Sequence, residues 1–154
     1  MQTLKSNGNI PENILQAIEE YWGFGLPKDY RTFLLKYNGG VPLEKNFYFK
    51  NTREESGITE FFGIFKNDID NLLVKATYTG DRIPESMLSI ARAAGGDLIL
   101  LTVKGKDRNK VYLWDHEMEA DTENGETADY SNLTLIADSF TEFVEGLRAE
   151  DQDD

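Results

Sequence analysis

The 154-residue sequence contains no cysteine and one histidine, His116. The absence of cysteine excludes disulfides, thiolate nucleophiles and cysteine-ligated zinc, and it is typical of reducing compartments. A single histidine excludes the paired-histidine sets that bind zinc or iron. The longest apolar run, Leu98 to Leu101, is too short to cross a bilayer, and residues 1–13 lack the apolar segment of a signal peptide. We therefore expect a cytoplasmic protein without membrane contact.

Basic residues are scarce in the C-terminal part of the sequence. The formal net charge is −12, and 14 of the 28 carboxylates lie from Asp115 onward, where Arg148 is the only Lys or Arg. Such a surface repels the phosphates of nucleic acids and anionic lipids, and it attracts basic proteins over a distance. The alternative is that the carboxylates only keep the protein in solution. The charge pattern favours a protein partner over nucleic acid.

The sequence carries no motif typical of a catalytic or phosphate-binding site. It has no G-x-S-x-G, and its two Gly-Gly pairs, at residues 39–40 and 95–96, match neither the P-loop nor the dinucleotide fingerprint. Asp115, His116 and Glu117 are consecutive, but on a strand consecutive side chains point to opposite faces, so we expect no metal site there. We predict a protein that is not an enzyme and needs no cofactor.

The acidic segment Glu117–Asp129 is a predicted surface loop, and its composition raises the question of a calcium site. Counted from Asp121, an EF-hand loop needs glycine at position 6 and glutamate at position 12. Here Gly125 stands at position 5 and Asn132 at position 12, so the motif is absent. Weak binding of a divalent ion by the carboxylates is the remaining alternative.

Apolar residues recur at helical spacing in two segments near the N-terminus. The first begins near Pro11, and its predicted buried stripe consists of Ile14, Leu15, Ile18, Tyr21 and Trp22. The second begins at Pro27, a residue favoured in the first helical turn, and its predicted buried face consists of Tyr30, Phe33, Leu34 and Tyr37. Residues 38–40, Asn-Gly-Gly, tolerate the positive φ that ends a helix. We therefore expect Gly39→Val to lower stability rather than to remove a binding contact.

The spacing then changes to that of strands. We predict, in order, strands over Asn46–Lys50 and Thr59–Phe65, a helix over Asp68–Lys75, a strand over residues 88–93, a hairpin with arms Leu98–Val103 and Val111–Trp114, and a strand near Leu133–Ile136. A closing helix begins at Ser139 or Asp138, with Phe140, Phe143, Val144 and Leu147 inward. This order predicts an α+β fold: a single domain over residues 1–154, with a mixed, mostly antiparallel sheet flanked by N-terminal and C-terminal helices and an acidic tail at about residues 149–154.

The segment IEEYWGFGLPKDYRTFLLKYNGG, residues 18–40, resembles the signature of the SUKH superfamily, which groups fungal cell-wall regulators of the Smi/Knr type with bacterial immunity proteins. The matching residues are Glu19, Gly23, Leu26, Pro27, Tyr30, Phe33, Leu34, Asn38, Gly39 and Gly40. Later positions are similar to the family at Gly96, Asp97, Val111, Trp114, Asp115, His116 and Glu117, and IADSFTEFVEGL resembles its closing helix. The resemblance runs from about Ile14 to Leu147 and implies structural roles for the signature residues.

The resemblance also implies a non-enzymatic binding function. Bacterial members are mostly immunity proteins that neutralise a polymorphic toxin encoded beside them, and many such toxins are nucleases with basic surfaces. We therefore expect an antitoxin-like protein that masks the active surface of a basic toxin. A regulatory or scaffold domain of the Smi/Knr type is the alternative. The residues that we assign to partner contact are Asp115, Glu117, Glu119, Asp121, Glu123, Glu126 and Asp129.

Overall fold

The computed structural model describes residues 3–64, 72–73, 82–119, 121, 124–125 and 130–149. Over these ranges the chain forms three helices, α1 (Glu12–Trp22), α2 (Lys28–Tyr37) and α3 (Phe140–Glu145). Eight strands form the sheet: β1 (Thr3–Ser6), β2 (Gly40–Pro42), β3 (Asn46–Tyr48), β4 (Glu55–Phe61), β5 (Met87–Ala93), β6 (Leu98–Thr102), β7 (Val111–Trp114) and β8 (Leu133–Ala137). Two short 3₁₀ turns follow strands, at Ala94–Gly96 and His116–Met118.

The sheet confirms the predicted α+β fold. Its strand order is β1-β2-β4-β5-β6-β7-β8, with β3 paired to β4, and each of the described pairs is antiparallel. Every residue of β6 is buried, as its continuous apolar sequence predicts. No helix in the described ranges has the length and apolar content of a membrane span. The assignment of residues 1–154 to one domain stays a prediction.

Helix α2 forms as its local sequence predicts. Pro27 is the residue before the first turn, and its carbonyl accepts the Arg31 N–H at 2.8 Å. Asn38 ends the helix in the left-handed region at φ 48°. The helix buries Tyr30, Phe33 and Leu34, whereas Tyr37 is half-buried. The apolar spacing therefore located this face correctly.

Helix α1 buries a narrower face than predicted. Leu15 is completely buried and Trp22, seven residues later, is half-buried. Ile14 and Tyr21, each one residue earlier, are 45% and 88% exposed, so their assignment to the buried stripe was wrong. The reason is geometric: one residue turns a helix by about 100°, which moves these two side chains from the inner side to the outer side.

Aromatic rings connect the helices to the sheet. The Phe33 ring of α2 lies 4.9 Å from Phe61 of β4 and 5.1 Å from Phe140 of α3, measured between ring centroids. Phe143 of α3 lies 5.4 Å from Phe47 of β3. Such tilted and edge-on pairs contribute about 0.5–1.5 kcal/mol each beyond the burial of their surfaces. The core therefore lies between α2, α3 and the strands that face them.

Several strand boundaries differ from the prediction. Strand β3 ends at Tyr48, and β4 begins at Glu55 in a polar segment that the sequence indicated as a loop. Residues 55–57 nevertheless pair with β3, because a strand ladder is held by backbone groups that any sequence supplies. The predicted helix Asp68–Lys75 lies outside the described residues, except for two helical positions, 72 and 73.

Residues 39 and 40 follow α2 where two backbone segments pass closely. Gly39 has φ +77°, and a Cβ built on it would lie 2.6 Å from the Phe62 carbonyl oxygen. Gly40 has φ +121°, and its Cβ would overlap the Lys5 carbonyl oxygen. Only glycine fits both the backbone angle and the space at these positions.

We expect Gly39→Ala to lower the free energy of unfolding by more than about 2 kcal/mol, because the methyl group meets backbone atoms that cannot move away cheaply. Gly95→Ala is the matched control: Gly95 has a similar φ of +75°, but nothing lies within 4 Å of its built Cβ. Gly95→Ala should lower the free energy of unfolding by about 1 kcal/mol. Urea denaturation measures the free energy of unfolding of both variants. Equal decreases in the two variants would show that the close backbone contacts at Gly39 do not add to the cost of the substitution.

Candidate functional site

The Glu19 carboxylate joins α1 to α2. Its Oε2 accepts the Leu26 N–H at 2.7 Å, and its Oε1 accepts Arg31 Nε–H at 2.8 Å. Arg31 also donates to Glu12 at 2.7 Å, so one guanidinium connects both ends of α1 to α2. The Glu19 side chain is 12% exposed. The signature glutamate therefore lies in a structural position, where it fixes the corner between two helices.

The Asn38 side chain connects the end of α2 to the segment after β4. Its Nδ2 donates to the Ile64 carbonyl at 3.1 Å, and its Oδ1 accepts the Ile64 N–H at 2.7 Å. The Asn38 carbonyl in turn accepts Asn7 Nδ2–H at 3.0 Å. The Asn38 amide thus bonds both backbone groups of Ile64, as a neighbouring strand would, and the residue is 4% exposed. Asn38 therefore serves to hold the end of α2 against that segment.

Asp29, at the start of α2, collects hydrogen bonds from distant parts of the chain. Its Oδ2 accepts the backbone N–H and the hydroxyl of Thr141 at 2.9 and 2.8 Å, and Asn109 Nδ2–H at 3.3 Å. Partial burial raises the pKa of Asp29, but the bonds from Thr141, Asn109 and the Tyr30 N–H outweigh it, so the pKa lies below its ordinary value. Sequence reasoning missed this cluster because its partners are 80 and 112 residues away.

His116 pairs with Asp97. Strand β7 ends at Trp114, and residues 116–118 form a turn, so the alternation expected of a strand does not hold at this histidine. His116 Nδ1 lies 2.6 Å from Asp97 Oδ1, and the same oxygen accepts the His116 backbone N–H at 3.1 Å. The hydrogen bond with the carboxylate raises the pKa of His116 above its ordinary value. Asp97 and His116 are both among the positions at which the sequence resembles the SUKH superfamily, and this resemblance is the one signal that pointed to the pair.

Asp97, Asp115 and His116 form the group of metal-ligand types found among the described residues, with one ligand atom of each within 4.8 Å of the others. Asp97 is engaged with His116, and Asp115 Oδ1 accepts the Glu117 N–H at 2.9 Å, which begins the turn. These polar atoms therefore already stabilise the loop between β7 and the acidic segment.

The four predicted contact carboxylates that the structure describes differ in exposure and in hydrogen-bond partners. Asp115 begins the turn, and Glu119 binds Arg82 through two hydrogen bonds of 2.9 Å. Asp121 accepts the Asn124 N–H at 3.2 Å. Glu117 is exposed. The remaining three predicted contact residues, Glu123, Glu126 and Asp129, lie outside the described residues.

Arg82 covers another signature residue, Trp114. Its guanidinium carbon lies 5.1 Å from the centre of the indole ring, and the Trp114 side chain is buried. Because Arg82 also binds Glu119, the acidic segment is attached to the end of β7 through one arginine. Glu119 is thus held in place by a structural contact, and its charge is partly neutralised.

Two grooves lie on the surface of the described part of the chain. One, of about 570 Å³, lies between α2 and the β6–β7 hairpin; the carboxylate that faces it, Asp29, is bonded to Thr141 and Asn109. The other, of about 250 Å³, is lined by apolar residues of β3, β8 and α3, with Lys50 paired to Glu142 at its rim. Of the predicted contact residues that the structure describes, none lines either groove.

Comparison with known proteins decides the family. Residues 9–146 match the SMI1 / KNR4 family (SUKH-1). The chain belongs to the SUKH-1 family. This SUKH-1 protein is also 30% identical over 162 residues to the SPbeta prophage-derived uncharacterized protein YokK of Bacillus subtilis (strain 168). The matched region covers 91% of this chain and 78% of that relative. The resemblance carried by residues 18–40 is therefore confirmed.

In this SUKH-1 protein, Glu19→Ala should lower the free energy of unfolding by about 2–3 kcal/mol, because the Leu26 N–H and the Arg31 Nε–H both lose their acceptor. Glu20→Ala, at the exposed next position, is the matched control and should change it by less than about 0.5 kcal/mol. Thermal and urea unfolding measure both. Equal effects of the two substitutions would refute the joining role of Glu19.

His116 is the only histidine, so its titration can be followed by NMR without further assignment. We expect its pKa above the ordinary value of about 6.5, and we expect Asp97→Asn to lower it. Because folding raises this pKa, the stability from the pair is fully present below the unfolded pKa and is lost as pH rises through the folded pKa. Asp121→Asn is the control and should leave the pKa of His116 unchanged. A wild-type pKa equal to that of Asp97→Asn would contradict the pairing.

Proposed function

We propose that this SUKH-1 protein is an immunity protein that binds a cognate protein toxin and neutralises it by masking its active surface. Membership in the SUKH-1 family over residues 9–146 is the observation that carries the proposal. The net charge of −12 adds to it, because an acidic binder is suited to toxins that bind nucleic acids through basic surfaces.

The proposed mechanism is occlusion without chemistry. The polar groups that sequence and geometry single out, on Asp29, Asn38 and Glu19, each have partners inside the protein. Groups engaged in this way fix the shape of a surface, and a surface with a fixed shape loses little conformational entropy on binding. The toxin would therefore meet helices that the fold already holds in place.

The proposed role of the acidic segment is to accelerate association. Long-range attraction between opposite charges raises the rate of encounter, and it weakens as salt screens the charges. Glu117 and Asp121 are the described carboxylates of the segment that are exposed, and Asp121 also accepts a hydrogen bond from Asn124. Asp115 and Glu119 are half-buried and accept hydrogen bonds within the protein. Together with Glu123, Glu126 and Asp129, these residues remain our candidates for the steering surface.

The first test is co-expression with the product of the adjacent reading frame. We expect that product to stop growth when it is expressed alone and growth to return when this chain is expressed with it. A toxic neighbour whose effect this chain does not relieve would overturn the proposal. Recovery of several unrelated host proteins with this chain, instead of one toxin, would favour the regulatory or scaffold function.

The second test separates steering from total charge. Glu117→Lys and Glu44→Lys change the net charge by the same amount at two exposed positions. Stopped-flow association with the purified neighbour product should become slower with rising salt, and Glu117→Lys should slow it about 10-fold more than Glu44→Lys at low salt. Equal rates for the two variants would show that the acidic segment has no special role.

A further inference from the structure

Helix α1 carries an exposed apolar face that the fold does not use. Ile14 and Tyr21 are 45% and 88% exposed, and Ala17 between them is also exposed. Positions i, i+3 and i+7 lie on one side of a helix. We call these three residues the outer face of α1.

Exposed apolar residues that occur singly are normal on a protein surface, whereas larger contiguous apolar patches mark interaction sites. The outer face of α1 is contiguous, because Ile14, Ala17 and Tyr21 are neighbours along one side of one helix. Tyrosine is also among the residue types that contribute most energy at protein interfaces.

The fold holds this face in a fixed orientation. Glu19, on the same helix, bonds to Leu26 and Arg31 of the following segment. Gly23 ends α1 in the left-handed region, with its N–H bonded to the Glu19 carbonyl at 2.9 Å. An anchor on a rigid helix loses little conformational freedom when a partner binds.

The charges of α1 indicate the chemistry of the partner. Between Glu12 and Trp22 the helix has three glutamates and no Lys, Arg or His. Glu12 and Glu19 are paired with Arg31, but Glu20, next to Tyr21, is exposed. A complementary surface is therefore apolar at its centre and basic at its edge, which agrees with the usual arrangement of interfaces.

We propose that the outer face of α1 is the docking surface for the toxin, and that Tyr21 inserts into an apolar pocket with a basic edge on that partner. This inference rests on the proposed function and assigns its contact surface. The acidic segment steers the approach, whereas α1 supplies the contacts that slow dissociation. The proposed contact residue, Tyr21, thus lies outside the acidic segment to which the charge pattern had pointed.

The test measures binding of the purified neighbour product by surface plasmon resonance. Tyr21→Ala should raise Kd about 30-fold or more, mainly through faster dissociation, because an aromatic anchor is lost. Tyr21→Phe keeps the ring and should stay within about 3-fold of the wild type. Leu43→Ala is the matched control, since Leu43 is 52% exposed in a different part of the fold, and it should also change Kd by less than about 3-fold.

Stability and self-association complete the experiment. Because Tyr21 is 88% exposed, Tyr21→Ala should leave the melting temperature nearly unchanged, so that lost binding is not lost folding. Unchanged binding by Tyr21→Ala, with normal binding by the wild type, would overturn this inference and leave the proposed function standing. Failure of the wild type to bind or rescue would overturn both. A dimer of this chain that Tyr21→Ala abolishes, with toxin binding unaffected, would assign the face to a second copy and overturn the inference.

Discussion

The hydrogen bonds of the Glu19 carboxylate are the interaction on which the N-terminal half of the structure depends. They fix α1 against the start of α2, and α2 is in turn fixed at both ends, by Asp29 to the α3 region and by Asn38 to the segment after β4. A carboxylate in this position satisfies a backbone donor and a guanidinium at once. The family signature in residues 18–40 is therefore largely a description of how two helices are held against a sheet.

Local signals predicted the parts of the fold whose causes are local. The cap at Ser139, which accepts the Glu142 N–H, and the left-handed end of α2 at Asn38 depend on residues within one turn. The buried β6 was evident from its composition. The polar start of β4 was not, because only its pairing with β3 makes it a strand. Which apolar residues of α1 are buried also needed the structure, since two residues one position apart point about 100° away from each other.

The candidate site divides in the same manner. Composition predicted the sign of the charge that a partner should carry, because charge is a sum over the sequence. It did not predict which carboxylates are free, because Glu119 meets Arg82 and Asp29 meets Thr141 only in the folded chain. Apolar exposure is equally invisible to a periodicity count, which treats Tyr21 and Trp22 alike. The accessible area of each side chain is therefore the information that the sequence lacks and the fold supplies.

The complete burial of β6 has a consequence for the chain before it is folded. A segment such as Leu98–Thr102, with five buried residues and no charge, is prone to aggregate when it is exposed. Its two partners are its neighbours in sequence, since β5 precedes it by a short turn and β7 follows it in a hairpin. Both edges are therefore covered by closing short loops, which is entropically cheap and fast. The connectivity of the sheet therefore shortens the time during folding for which β6, its most aggregation-prone strand, is exposed.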